Sequence, residues 1–238
     1  MTKIRQLNFG ANVDRMNNRK QIVCFQCHKP INGKYFLDWA GHSVCASHVI
    51  VKCASCGQFC NSKAKDIGLG FKICEHCQKF RIERKDCDAI IDFIMSIYEK
   101  SSIGIVSRWK LQMVNAETLY RLTNDLQTRG LARAVGNEYT IYVYRELSRV
   151  AFAQVLAHEL LHVYQYTNSI HPSKDKCEGF CNLGSYVVLE AINNAEAKAA
   201  INNLMNNPDK IYGDGFRLLL AAYNEGGWES AINLIKGR

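Results

Sequence analysis

Long apolar runs are absent from this 238-residue chain, and no stretch approaches the roughly 18 apolar residues that a membrane-spanning helix needs. An integral helical membrane protein is therefore not expected. Prolines number only three and hydrophobic residues make up 47%, a composition that argues against disorder and for an ordered globular protein. The opening stretch, Met1 to Lys20, is polar and basic and lacks the apolar core of a secretory leader, so a cytoplasmic location is expected. A dense basic stripe interleaved with aromatics is missing as well. The formal charge is +8, but the basic residues are dispersed, and counting seven cysteine thiolates with three divalent ions changes it only to about +7. Nucleic acid is not the expected partner.

Cysteine, by contrast, is abundant. Eight of the eleven fall within residues 24–77, mostly as C-x-x-C pairs, and in a chain without a secretory leader such pairs read as zinc ligands rather than disulfides. The order is Cys24-x-x-Cys27, Cys45-x-x-His48, Cys53-x-x-Cys56 and Cys74-x-x-Cys77, with intervals of equal length, residues 28–44 and 57–73, inside the two halves. Two pairs complete one closed tetrahedral site. Cys24, Cys27, Cys45 and His48 are predicted to hold one structural zinc, and Cys53, Cys56, Cys74 and Cys77 the second. His42 rivals His48, because it also stands at ligand spacing from Cys45; choosing it shortens the first interval and leaves His48 unused. Two closed sites in tandem resemble a LIM domain, although the spacer Val49 to Lys52 is longer than such a domain usually has. So small a module has too few apolar residues for a core and depends on metal to fold. Among the other cysteines, Cys60, Cys87 and Cys181 have no expected role beyond buried thiols.

The second signal is His158-Glu159-Leu160-Leu161-His162, inside an apolar stretch that follows Ser148, a good helix N-cap, and contains no glycine or proline. Histidines four apart project from one face of a helix, about one 5.4 Å turn apart, so both imidazoles reach one ion. Glu159 stands beside them as the general base of a zincin. A catalytic zinc takes a third protein ligand and leaves a position open. Thr167-Asn168 replace the last two residues of the metzincin pattern, leaving His171, Asp175, Glu178 and Glu190 as candidates. Glu178 is preferred, in the first turn of a helix expected to begin near Cys177 and continue to about Met205. Asn182, four residues on, shares its face and suits a hydrogen bond to a ligand histidine.

Around this centre the periodicities predict a helix over residues 86–99, a strand over 105–113, a polar helix over 115–128, a strand over 139–144 and a last helix over 228–235 after the Gly226-Gly227 break. The fold class expected is α+β: a basic segment (residues 1–22), a LIM-like double-zinc module (23–80), and a mainly helical, gluzincin-like metallopeptidase domain with a small sheet (81–238). Zincins commonly run an edge strand beside the active-site helix. The sequence does not indicate which strand that is.

The combination resembles the DA-one family, plant LIM-containing peptidases that restrict organ growth and are activated by ubiquitin. The stretches that carry the resemblance are Cys45-Ala-Ser-His48, Cys53-Ala-Ser-Cys56, Cys74-Glu-His-Cys77, Thr128-Arg-Gly-Leu131, Leu156 to His162, Glu178-Gly-Phe-Cys181 and Tyr212-Gly-Asp-Gly-Phe-Arg217, in that order. The resemblance implies a zinc endopeptidase acting on protein or peptide substrates, supports Glu178 as third ligand and His48 over His42, and makes Tyr212 a candidate for oxyanion stabilisation. The chain departs from the family in lacking ubiquitin-interacting motifs and a longer LIM region, like a minimal member, so ubiquitin binding and growth-regulatory substrates do not carry over. The competing expectation is a LIM-type adaptor with a structural or degenerate third zinc site; an intact Glu159 distinguishes the two, since a structural site needs no base.

Overall fold

Short knuckles rather than long elements build the first part of the chain. In the computed structural model, which describes residues 21–101, 103–106 and 108–238, the chain divides into two units between Lys79 and Phe80. The expected basic segment, residues 1–22, lies outside the described residues except for its last two.

The first unit repeats one backbone device. The amide of Cys24 donates to the carbonyl of Lys29 and that of His28 to Cys24; in the second half Cys53 donates to Gln58 and Gly57 to Cys53. His28 and Gly57 close these turns at φ 58° and 75°, the left-handed conformation that lets four residues reverse the chain. Each knuckle is followed by a small antiparallel hairpin: β1 (Tyr35–Leu37) with β2 (Ser43–Cys45), and β3 (Lys65–Asp66) with β4 (Lys72–Ile73). Helix α1 (Glu75–Lys79) ends the unit and carries Cys77.

Apolar burial here is sparse and comes in two clusters, Cys24, Val44 and Phe59 in one, Cys53, Cys60, Ile73, Cys74 and Cys77 in the other. Phe59 belongs by sequence to the second half and packs with the first, so it ties the halves together. Asp38 does the same with hydrogen bonds. Its carboxylate, 9% exposed, accepts from the amides of Ala40, His42 and Phe59 and pairs with His42 Nδ1 at 2.9 Å.

The second unit has a core of its own. It comprises α2 (Arg84–Lys100), β5 (Trp109–Val114), α3 (Ala116–Thr123), β6 (Gly130–Val135), β7 (Glu138–Tyr144), α4 (Arg149–Thr167), α5 (Lys174–Ile192), α6 (Ala195–Met205), a π-helical turn (Lys210–Asp214) and α7 (Gly215–Ile235). The sheet order is β5-β7-β6, with β5 parallel and β6 antiparallel to β7. Gly136-Asn137 form the two-residue loop of the β6–β7 hairpin, with Gly136 at φ 58° as such tight loops require. The protein is thus mixed α and β, and no helix among the described residues is long and apolar enough to cross a membrane.

Helix α4 is buried nearly all round. Phe152, Leu156, Ala157, Leu160, Leu161 and Val163 are all inaccessible to solvent, and Ser148 caps the helix by accepting from the amide of Ala151. Tyr98 of α2 donates its hydroxyl to the carbonyl of Ala157 at 2.8 Å. Helix α5 packs along α4, and Gly184 lets it approach: a methyl there would meet Leu161 and the Tyr98 hydroxyl.

Several expected boundaries move. Helix α5 starts at Lys174 rather than near Cys177, and it stops at Ile192 instead of running to Met205, because Asn193 takes the left-handed conformation and Asn194 caps α6 afresh. The polar helix ends at Thr123, again at a left-handed asparagine, Asn124. The first strand occupies residues 109–114 rather than 105–113. The sequence reading had no strand at β6, which is short and contains glycine and two charge-neutral alanines in place of a clear alternation. At Gly226-Gly227 the backbone leaves helical geometry as expected, and α7 bends there.

Candidate metal centres

Three clusters of metal-competent side chains form among the described residues, each within one unit. In the first, the ligand atoms of Cys24, Cys27, Cys45 and His48 all lie within 4.8 Å of one another. The sulfurs of Cys24 and Cys45 are 3.6 Å apart, and those of Cys56 and Cys74 in the second cluster, Cys53, Cys56, Cys74 and Cys77, are 3.7 Å apart. A tetrahedral ion about 2.3 Å from each sulfur separates them by about 3.8 Å. The donor sets and spacings fit closed metal sites.

His48 gives an independent test of fit. Its Nε2 is buried without a hydrogen-bond partner, a costly state for an imidazole unless an ion takes the lone pair. His42, the rival, is committed elsewhere, with Nδ1 on Asp38 and its ring stacked on Phe25 at 3.9 Å. Burial works to raise Cys24, yet the amides of Cys27, Cys45 and Gln26 bring it down to about 6, whereas Cys60, which faces no such donors, is pushed up by burial to about 12.

The third cluster lies between α4 and α5. The rings of His158 and His162 are 5.0 Å apart, as one helical turn requires. Glu178 Oε2 sits 3.3 Å from His158 Nε2 and 3.8 Å from His162 Nε2, near the ~3.4 Å edge of a tetrahedron with bonds of about 2.1 Å. The three residues whose ligand atoms all lie within 4.8 Å of one another are His158, His162 and Cys181, with Glu178 outside that group, so sulfur and carboxylate compete for the third place. The carboxylate is the better third donor for two reasons. The Nδ1 atoms are occupied, leaving the Nε2 atoms on which Glu178 converges, and the Cys181 sulfur already accepts from Gln165 Nε2 at 3.1 Å. Burial opposes ionisation of Glu178, but the hydrogen bond and charge of His158, with His162, hold it below the usual carboxylate range. His171 and Glu190 are exposed, and the Asp175 carboxylate is engaged by Ser173 and the first amides of α5, so none of the three joins the cluster.

Asn182 links two stretches that are far apart in sequence. Its Oδ1 faces His158 Nδ1 at 3.0 Å, and its Nδ2 donates to the backbone carbonyl of Tyr212 at 3.0 Å. The Tyr212 phenol is partly exposed, and burial together with Glu178 raises its pKa. Glu159 is 6% exposed. Burial raises its pKa, against the pull of both histidines and of the Ala132 amide, which donates to it. That amide belongs to β6. Strand β6 lies over α4, and a methyl on Gly130 would come 2.6 Å from Glu159 Oε1 and would also strike Val155. Tyr166, one turn beyond His162 and stacked on it, donates its hydroxyl to the Ala132 carbonyl at 3.4 Å.

Sequence reasoning missed Gly130, Ala132, Tyr166 and Cys177, whose sulfur lies 3.8 Å from His162 Nδ1. Gly130 lay in the Thr128–Leu131 stretch that carries the resemblance, without a role of its own, and Cys177 carried a signal in its spacing of four from Cys181 across Glu178. No family model, curated protein or solved structure matches the chain.

Proposed function

We propose that the chain is a zinc-dependent endopeptidase that hydrolyses peptide bonds of protein substrates, with His158, His162 and Glu178 holding a catalytic zinc and the eight ligands of the first unit holding two structural ones. The first unit is then a LIM-like module that docks a protein partner or substrate, and the second a gluzincin-like domain of the kind the DA-one resemblance implies. When bound at the third cluster, zinc supplies a Lewis acid that polarises a carbonyl oxygen and acidifies water.

The chain's own residues do the rest. Glu159 takes a proton from the attacking water at its carboxylate and returns it to the departing amine, and its raised pKa suits both steps. Strand β6 pairs with β7 along one edge and with no other strand among the described residues; on its other edge the Ala132 amide and carbonyl are taken by Glu159 and Tyr166, so an extended substrate segment adds through the residues on either side of Ala132. Tyr212, whose partly exposed phenol feels the charge of Glu178, is the residue we assign to the developing oxyanion.

The observation that carries this reading is Glu159: a buried carboxylate that is no member of the metal cluster, held between the cluster and an edge strand. A structural metal site has no use for it. The test is a catalogue of peptide termini generated from a proteome by the purified protein. Glu159→Gln keeps side-chain size and the metal ligands but removes the base, so it should retain the zinc of all three sites and lose cleavage by about 100- to 10,000-fold. If neither protein cleaves anything while both capture the same partners, the adaptor reading replaces this one.

A further inference from the structure

Both imidazoles of the third cluster are approached from α5 on the nitrogen that faces away from Glu178. His158 Nδ1 meets Asn182 Oδ1 at 3.0 Å, and His162 Nδ1 meets Cys177 Sγ at 3.8 Å, a sulfur hydrogen-bond distance. The two partners flank Glu178 on the same helix, so α5 supplies the carboxylate and both outer contacts. Asn182 was expected to do this for one histidine; nothing in the sequence reading provided for the other.

We propose that Cys177 is the positioning residue for His162: its sulfur accepts the Nδ1 proton, so that the ring presents Nε2 to the ion in a fixed tautomer and orientation. A neutral imidazole that gives one nitrogen to a metal carries its proton on the other, and that proton needs an acceptor inside the protein. The surroundings of Cys177 hold it in place for this. Its amide donates to the Ser173 carbonyl at the start of α5, its carbonyl accepts from Gln165 Nε2, and the same Gln165 group donates to Cys181 one turn further along the helix. Tyr166 stacks on His162 and limits its tilt. This role rests on His158, His162 and Glu178 binding a metal, but not on peptidase activity.

The measurement is the zinc affinity of the third site in the full chain, by chelator competition with both cysteine-rich sites kept loaded. Cys177→Ala should weaken zinc about 10- to 100-fold, as should Asn182→Ala, while Cys177→Asn, which restores an oxygen acceptor, should recover most of the loss. Nitrogen-15 NMR of the zinc-loaded protein should find the His162 proton on Nδ1 and, in Cys177→Ala, exchanging faster with water. Unchanged affinity in Cys177→Ala overturns the proposal, as does equal weakness of the Ala and Asn variants. Thiolate-to-metal absorption from cobalt placed in the third site, lost in Cys177→Ala, also overturns it, since the sulfur would then bind the ion itself. A wild-type chain that takes no third ion removes both this proposal and the metal reading beneath it, whereas a chain that cleaves nothing but shows these affinity changes loses only the peptidase reading.

Discussion

The two units put cysteine and histidine to opposite uses. In the first, four of the eight candidate ligands, Cys24, Cys53, Cys74 and Cys77, are among the few buried residues, and the remaining apolar contacts, around Val44, Phe59 and Ile73, are too few for an independent core. In the second, the candidate ligands sit on two helices already packed by Leu156, Leu160, Leu161, Phe180, Leu183 and Leu189. On the proposed reading, metal in the first unit is part of folding, while in the second the scaffold stands first and positions the site. What the comparison teaches is that a similar donor set carries different chemistry according to whether the surrounding core exists without it.

Stripping all metal from the full chain should break the comparison open most widely. Each structural zinc contributes on the order of 10–16 kcal/mol of binding free energy that is also folding free energy, so the first unit should unfold on chelation. Amide hydrogen exchange should show protection lost across residues 21–79 and kept in α4 and α5; protection surviving in the first unit would show a core that its buried residues do not suggest.

Glu178→Ala sharpens the same contrast from the other side. The fully loaded protein should fall from three zinc ions to two by elemental analysis, with cleavage abolished and the melting of the second unit nearly unchanged. Retention of the third ion would shift the ligand role to Cys181, the other donor near both imidazoles.

Gly130→Ala probes the fit of β6 over Glu159, the proposed general base. The added methyl meets Val155 and Glu159, and relieving such overpacking costs about 1–3 kcal/mol. Thermal unfolding should register that loss in the second unit alone, and kcat should fall further than stability explains, because Glu159 is the side chain displaced.

The smallest effect distinguishes two histidines of the first unit. His42→Ala removes a stacking contact and one of four partners of Asp38, and should cost about 0.5–1.5 kcal/mol with both structural ions retained. His48→Ala should lose an ion. Equal metal contents in the two variants would return His42 to candidacy.

The sequence by itself determined the groups that short-range geometry forces together. Cysteines three apart on a knuckle, and histidines four apart on a helix, share a target wherever the chain goes, so both cysteine-rich clusters and the His158–His162 pair were legible, as was the mixed fold class from the two periodicities. Only the tertiary structure decided which distant groups meet them. It brought Glu178 to the imidazoles in preference to His171, Asp175 and Glu190, set Asp38 between the two halves of the first unit, and laid Gly130 and Ala132 of an unforeseen strand over Glu159. It also turned Cys177, expected only to mark the start of a helix, toward His162. The physical reason is common to all of these. Each joins residues separated by 15 or more positions in the chain, and such contacts follow from how helices and strands pack, which no local spacing encodes.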